Sequence, residues 1–117
     1  MKSTTKETMK YEAWGKKYEL SFRKGQYRNN KCLAIQIMCI EEGEEYSEPF
    51  CMLTVNLAFG AEEGCAYIDI NNCPKDLIQM LIDEEIMWYT NKDQMSGYCI
   101  YPMFRFNDEW LKSIPNM

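Results

Sequence analysis

The chain has 117 residues, 46% of them hydrophobic and 26% charged, with 16 aromatic residues, six Cys, nine Met and no His. That length suits a single core of the usual domain size, roughly 100–150 residues, and the aromatic and apolar content excludes a disordered chain. The net charge of −5 conceals an asymmetry: residues 1–31 carry nine cations against three carboxylates, a net of +6, and the other residues carry −11. Residues 1–10 are polar and read as a flexible leader, and 11–117 as one α+β domain.

In chain order, Tyr18 to Arg23 alternates apolar and polar residues, which predicts a strand with Tyr18, Leu20 and Phe22 on one face. Tyr11 to Trp14 reads as an extension of it or as a separate short strand. Lys24 to Lys31 contains Gly25, Asn29 and Asn30, residues that tolerate positive φ, and predicts a hairpin loop. Cys32 to Ile40 is apolar at nearly every position and reads as a central strand buried on both faces. Glu41 to Pro49 is an exposed acidic turn. Phe50 to Leu57 is a strand with Thr54 and Asn56 on its wetter face, and Cys65 to Ile70 is a short strand with Ala66, Ile68 and Ile70 on one side.

The period then changes. Leu77, Ile78, Leu81, Ile82 and Ile86 form one apolar stripe, predicting a helix over 74–87 with Pro74 at its first position and Asn72 or Cys73 as its cap. Residues 91–97 read as a loop and Tyr98 to Phe106 as a strand, placed at an edge or bulged because Pro102 lacks a donor. Asn107 caps a short C-terminal helix. The fold class expected is α+β: an antiparallel sheet of about five strands in meander order, one amphipathic helix before the last strand, and the short final helix.

Chemistry is sparse. Without imidazole, Ser-His and Cys-His activation and the commonest metal ligand are missing. No GxGxxG, Walker loop or nucleophile elbow occurs, and the acids cluster in turns where water keeps carboxylates ordinary. Asp69-Ile70-Asn71-Asn72 superficially suggests a calcium loop but lacks the Gly and the distant Glu. The cysteines lack CxxC spacing, and with no secretory signal free thiols are expected. These features predict a non-enzyme with no metal and no cofactor.

An isoelectric point near 4.8 argues against duplex DNA as the main partner, because counterion release needs a contiguous cationic surface. No run of about 18 apolar residues occurs, so a cytoplasmic protein without a membrane partner is expected. Two contact surfaces stand out. The carboxylates Glu41, Glu42, Glu44, Glu45 and Glu48 would present nucleic-acid-like charge to a protein with a basic groove. Tyr27 with Arg28, and Phe104 with Arg105, pair a guanidinium with an aromatic face, as sites for nucleotides do.

Trp14-Gly15-Lys16, Tyr18-Glu19-Leu20, Tyr27-Arg28-Asn29-Asn30, Leu33-Ala34-Ile35-Gln36, Leu53-Thr54-Val55-Asn56-Leu57, Ile68-Asp69-Ile70-Asn71-Asn72 and Gly97-Tyr98-Cys99-Ile100-Tyr101-Pro102 occur in that order. They resemble an uncharacterised family of small bacterial proteins, a domain of unknown function carried by phages, plasmids and conjugative elements of Gram-positive bacteria, over about residues 11–107. The family has no assigned catalytic residues. The resemblance implies a binding protein of a mobile element, a counter-defence inhibitor occupying the surface of a host defence protein. A sponge for a small nucleotide immune signal, built as a homo-oligomer, and an accessory protein of plasmid maintenance are the alternatives.

Overall fold

The computed structural model describes residues 8–117. Its strands are β1 (Thr8–Ala13), β2 (Lys16–Gln26), β3 (Leu33–Glu41), β4 (Glu48–Met52), β5 (Thr54–Val55), β6 (Cys65–Ile68), β7 (Met87–Ser96) and β8 (Cys99–Phe106), with helices α1 (Lys75–Asp83) and α2 (Asp108–Ser113). They form two antiparallel four-stranded sheets, β1-β2-β3-β4 and β5-β6-β8-β7. The α+β class holds, but the single sheet of about five strands is corrected to two sheets of four. The leader expectation for residues 1–7 lies outside the described residues, and residues 8–10 open β1.

The split occurs at Leu53. The stretch from Phe50 to Leu57 is not one strand: Leu53, fully buried, donates its amide to Ile35 O (3.0 Å) and accepts from the Asp69 amide (2.9 Å). One residue thus pairs with both sheets, and the chain passes from the first to the second there. Thr54, expected on the wet face, is 3% exposed. Its hydroxyl is satisfied inside, accepting from the Ile35 amide at 3.1 Å and bonding the Tyr27 hydroxyl at 2.9 Å. A buried hydroxyl with two partners carries little desolvation penalty.

The core lies between the sheets. Leu20, Phe22, Ile35 and Ile37 face it from the first sheet; Ala66, Ile68, Phe104 and Phe106 face it from the second; Leu77, Leu81 and Trp110 add the helices. A smaller cluster of Leu57, Cys65, Tyr67 and Met103 covers the outer face of the second sheet. The strand pattern of Ala66 and Ile68 inward, Cys65 and Tyr67 outward, follows from period two.

Helix α1 stops four residues short of the predicted end. Glu85 adopts φ +61, its amide bonds Ile82 O (3.0 Å), and the Ile86 amide bonds Leu81 O (3.0 Å). That is a Schellman ending with Glu where Gly is usual, so no glycine marks it. Pro74 stands at the N-cap position, with no side-chain cap bond. Freed from the helix, Ile86 and Met87 enter the core, and β7 replaces the predicted loop, its register shifting between Tyr89 and Lys92 around Asn91 at φ +68. The edge expected for Tyr98 to Phe106 is corrected, since β8 lies between β6 and β7; Pro102 is in register with Asp93 of β7, and the β6–β8 ladder stops one residue short of it, at Tyr67 with Met103. The predicted cap of α2 is present: Asn107 Oδ1 accepts from the Trp110 amide at 3.1 Å.

Candidate functional site

Chain reversals at one end of the first sheet create its most distinctive surface. Ala13 pairs with Lys16, leaving Trp14 and Gly15 as a two-residue turn with φ of +52 and +72. Positive φ at both positions is the type I′ geometry whose twist suits a hairpin. Asn-Gly usually occupies it, and a bulky Trp there is strained by its Cβ. The indole is 72% exposed.

The acidic turn lies beside this hairpin. Tyr18 is in register with Glu41, the Glu42 amide donates to Lys17 O (2.9 Å), and Lys16 Nζ lies 3.4 Å from Glu41 Oε1. Gly43 at φ +93 makes the reversal, helped by the Glu44 amide bonding Glu41 O at 2.9 Å. Glu42, Glu44, Glu45 and Glu48 are exposed, as is Tyr46 at 81%. Phe50, returning along β4, joins the two turns. Its ring centroid lies 6.2 Å from Trp14, 5.7 Å from Tyr18 and 5.9 Å from Tyr11. Trp14 meets Tyr18 edge-on at 6.5 Å.

On the other face of these strands, where Lys10, Glu12, Lys17 and Glu19 point, runs an open groove of about 660 Å³ that Glu41, Glu42 and Glu44 also border; Trp14, Tyr46 and Phe50 do not line it. Lysines of β1 and β2 interleave here with the acids, which outnumber them in the groove. The arrangement is two exposed aromatics in adjacent turns, an aromatic cluster under Trp14, and the carboxylates of the second turn. Its chemical capacity is contact with a cationic, partly apolar surface: rings supply area, carboxylates supply attraction and orientation.

The second predicted surface is dispersed. Tyr27 is half-buried and bonded to Thr54, and burial pushes its phenol pKa up. Arg28 is exposed in the β2–β3 turn. Phe104 is 6% exposed, its ring in the core and 5.6 Å from Tyr89, whereas Arg105, its neighbour on β8, is exposed and pairs with Trp88 and Cys65. Adjacent strand residues point to opposite faces, so Phe104 and Arg105 cannot grip one ring together. Neither Arg28 nor Arg105 lines the groove of the first sheet.

Among the described residues no group of three or more Cys, Asp or Glu is placed to hold a metal ion, and no helix is long and apolar enough to cross a membrane. Sequence reasoning missed Trp14, Tyr18, Tyr46 and Phe50. A Trp-Gly pair between two alternating stretches was the available signal for the hairpin tip. The meeting of Phe50 with Trp14 depends on the pairing of β2, β3 and β4, which no local pattern encodes.

A model for a domain of unknown function, DUF4313, matches residues 21–116. The chain belongs to this family. No curated protein and no solved structure matches it. The DUF4313 match includes the acidic turn, Phe50 and the second sheet, while β1, the Trp14-Gly15 turn and the first part of β2 precede it.

Proposed function

We propose that this DUF4313 protein is a binding protein that docks on a cationic partner protein through the surface formed by Trp14, Tyr46 and the Glu41–Glu48 turn. The observation that carries this reading is the exposure of Trp14, held at positive φ and backed by Phe50, at the same end of the first sheet as the Glu41–Glu48 turn. Exposed aromatics backed by packed neighbours are the side chains that dominate interface energies, and surrounding charge sets the encounter. A mobile-element origin, as the sequence resemblance implies, would make a host defence protein with a nucleic-acid groove the partner class. Binding without turnover fits the absence of His, which removes Ser-His and Cys-His pairs.

The test is quantitative capture from a native Gram-positive host lysate with the full chain as bait. Trp14→Ala and the triple charge reversal Glu42→Lys, Glu44→Lys, Glu45→Lys serve as controls. A basic protein should be retained by the parent chain at low salt, released at high salt, and lost with both variants. Equal retention by parent and charge-reversed baits, or indifference to salt, overturns the proposal.

A further inference from the structure

Among the described residues, one pair of thiols lies in direct contact. Cys51 is half-buried on edge strand β4, and Cys73 directly precedes Pro74 at the start of α1. Their Sγ atoms are 3.5 Å apart although the residues are 22 positions apart in sequence. A disulfide needs about 2.05 Å, so closure asks for roughly 1.5 Å of approach, within what rotation of a side chain on an edge strand supplies.

The two sulfurs are not equivalent. Cys73 is 4% exposed, while Cys51 reaches solvent. Cys73 has one S–H, within 3.5 Å of Cys51 Sγ and 3.4 Å of Met52 O. Aimed at Cys51, that hydrogen holds the Cys51 thiol below its ordinary pKa; the same bond, then burial, push Cys73 up. A partly exposed sulfur with stabilised thiolate character is the reactive kind, and a buried neighbour is the resolving kind. The remaining thiols make no such pair: Cys39 and Cys65 are buried, and Cys32 and Cys99 are half-buried with no sulfur partner.

We infer that Cys51 and Cys73 form a reversible redox dithiol, with Cys51 the nucleophile toward low-molecular-weight disulfides and Cys73 the resolving thiol. The Cys51 thiolate attacks one sulfur of R–S–S–R. The S–S bond breaks, one RS⁻ leaves and takes a proton from water, and Cys51 carries a mixed disulfide. Cys73 then releases its proton to solvent and attacks Cys51 Sγ, expelling the second RS⁻. Two protein thiols are oxidised to one disulfide while R–S–S–R is reduced to two thiols. The new bond fastens the start of α1 to the edge of the first sheet. Free thiols in a reducing compartment and a bond formed under oxidative stress are both compatible with this chemistry.

The test incubates the reduced full chain with glutathione at a series of oxidised-to-reduced ratios, quenches with acid, alkylates, and maps peptides without reduction. The expected result is a Cys51–Cys73 linked peptide appearing before modification of the other four cysteines. The oxidised chain should unfold several degrees higher than the reduced one, and Cys51→Ser should abolish both effects. Cys73→Ser should instead accumulate a lasting mixed disulfide on Cys51. Absence of the linked peptide at fully oxidising ratios, or prior oxidation of Cys32 or Cys99, overturns the inference.

Discussion

Tyr11 and Asp76 join the first strand to the helix: the phenol donates a 2.7 Å hydrogen bond to Asp76 Oδ1 across 65 residues of sequence. The Leu77 amide bonds the same oxygen at 2.9 Å, so one carboxylate serves both the start of α1 and β1. Asp76 is exposed, which moderates the energy of the contact. Tyr11→Phe should cost about 1 kcal/mol of stability, measured as a shift in the urea midpoint at unchanged slope. An unshifted midpoint would show that the bond contributes nothing.

Alkaline pH should destabilise the protein through its buried thiols and phenols. Burial pushes the Cys39 and Cys65 thiols up, and burial followed by the Asp76 contacts pushes the Tyr11 phenol up; Tyr27 is raised by burial too. Each folded pKa lies above its unfolded value, so the stabilising contribution is complete below the unfolded pKa and disappears as pH rises. Loss should begin near the unfolded thiol pKa of about 8.5 and steepen beyond about 10 as unfolded tyrosines ionise. Urea midpoints across that range check this, and Tyr11→Phe should flatten the upper part. A midpoint constant to strongly alkaline pH would contradict it.

Trp110 anchors the C-terminal helix, fully buried, stacked on Phe106 at 5.7 Å and edge-on to Phe22 at 5.3 Å. Its indole nitrogen has no hydrogen-bond partner among the described residues. Trp110→Ala should cost about 3–5 kcal/mol, in line with truncation of a buried aromatic. Trp110→Phe should cost clearly less, because it keeps a ring while removing an unpaired N–H. Equal losses in chemical denaturation would assign that nitrogen a partner.

Trp14 should be dispensable for folding and necessary for docking. Replacing it with Gly relieves the left-handed strain, on the order of 1–2 kcal/mol, and loses ring contacts of similar size. Trp14→Gly should therefore keep stability within about 1 kcal/mol of the parent while weakening partner binding about thirtyfold, the signature of a central interface residue. Titration calorimetry with the captured partner, beside thermal unfolding, separates the two effects.

Some of this architecture is legible residue by residue. The apolar run into β3, the stripe from Leu77 to Leu81 and the Asn107 cap each carry their own local physics. The second sheet is hidden in the sequence for two local reasons: Glu85 ends the helix at positive φ without a glycine, and Asn91, a residue that suits a turn, sits at φ +68 in a bulge inside β7. Leu53 gives no local sign that its amide and carbonyl serve different sheets. Of the candidate surface, the carboxylates were readable from composition. The aromatics were not, since Trp14 and Phe50 meet only after four strands align. The Arg-aromatic pairs failed to converge because Phe104 takes the inward face and Arg105 the outward one.

The most direct measurement of the docking account is hydrogen exchange of the full chain, alone and bound to the captured partner. Protection is predicted over the Trp14-Gly15 turn and the Glu41–Phe50 segment, with the β7–β8 hairpin unchanged. Protection confined to that hairpin, or to the loop carrying Arg28, would contradict it.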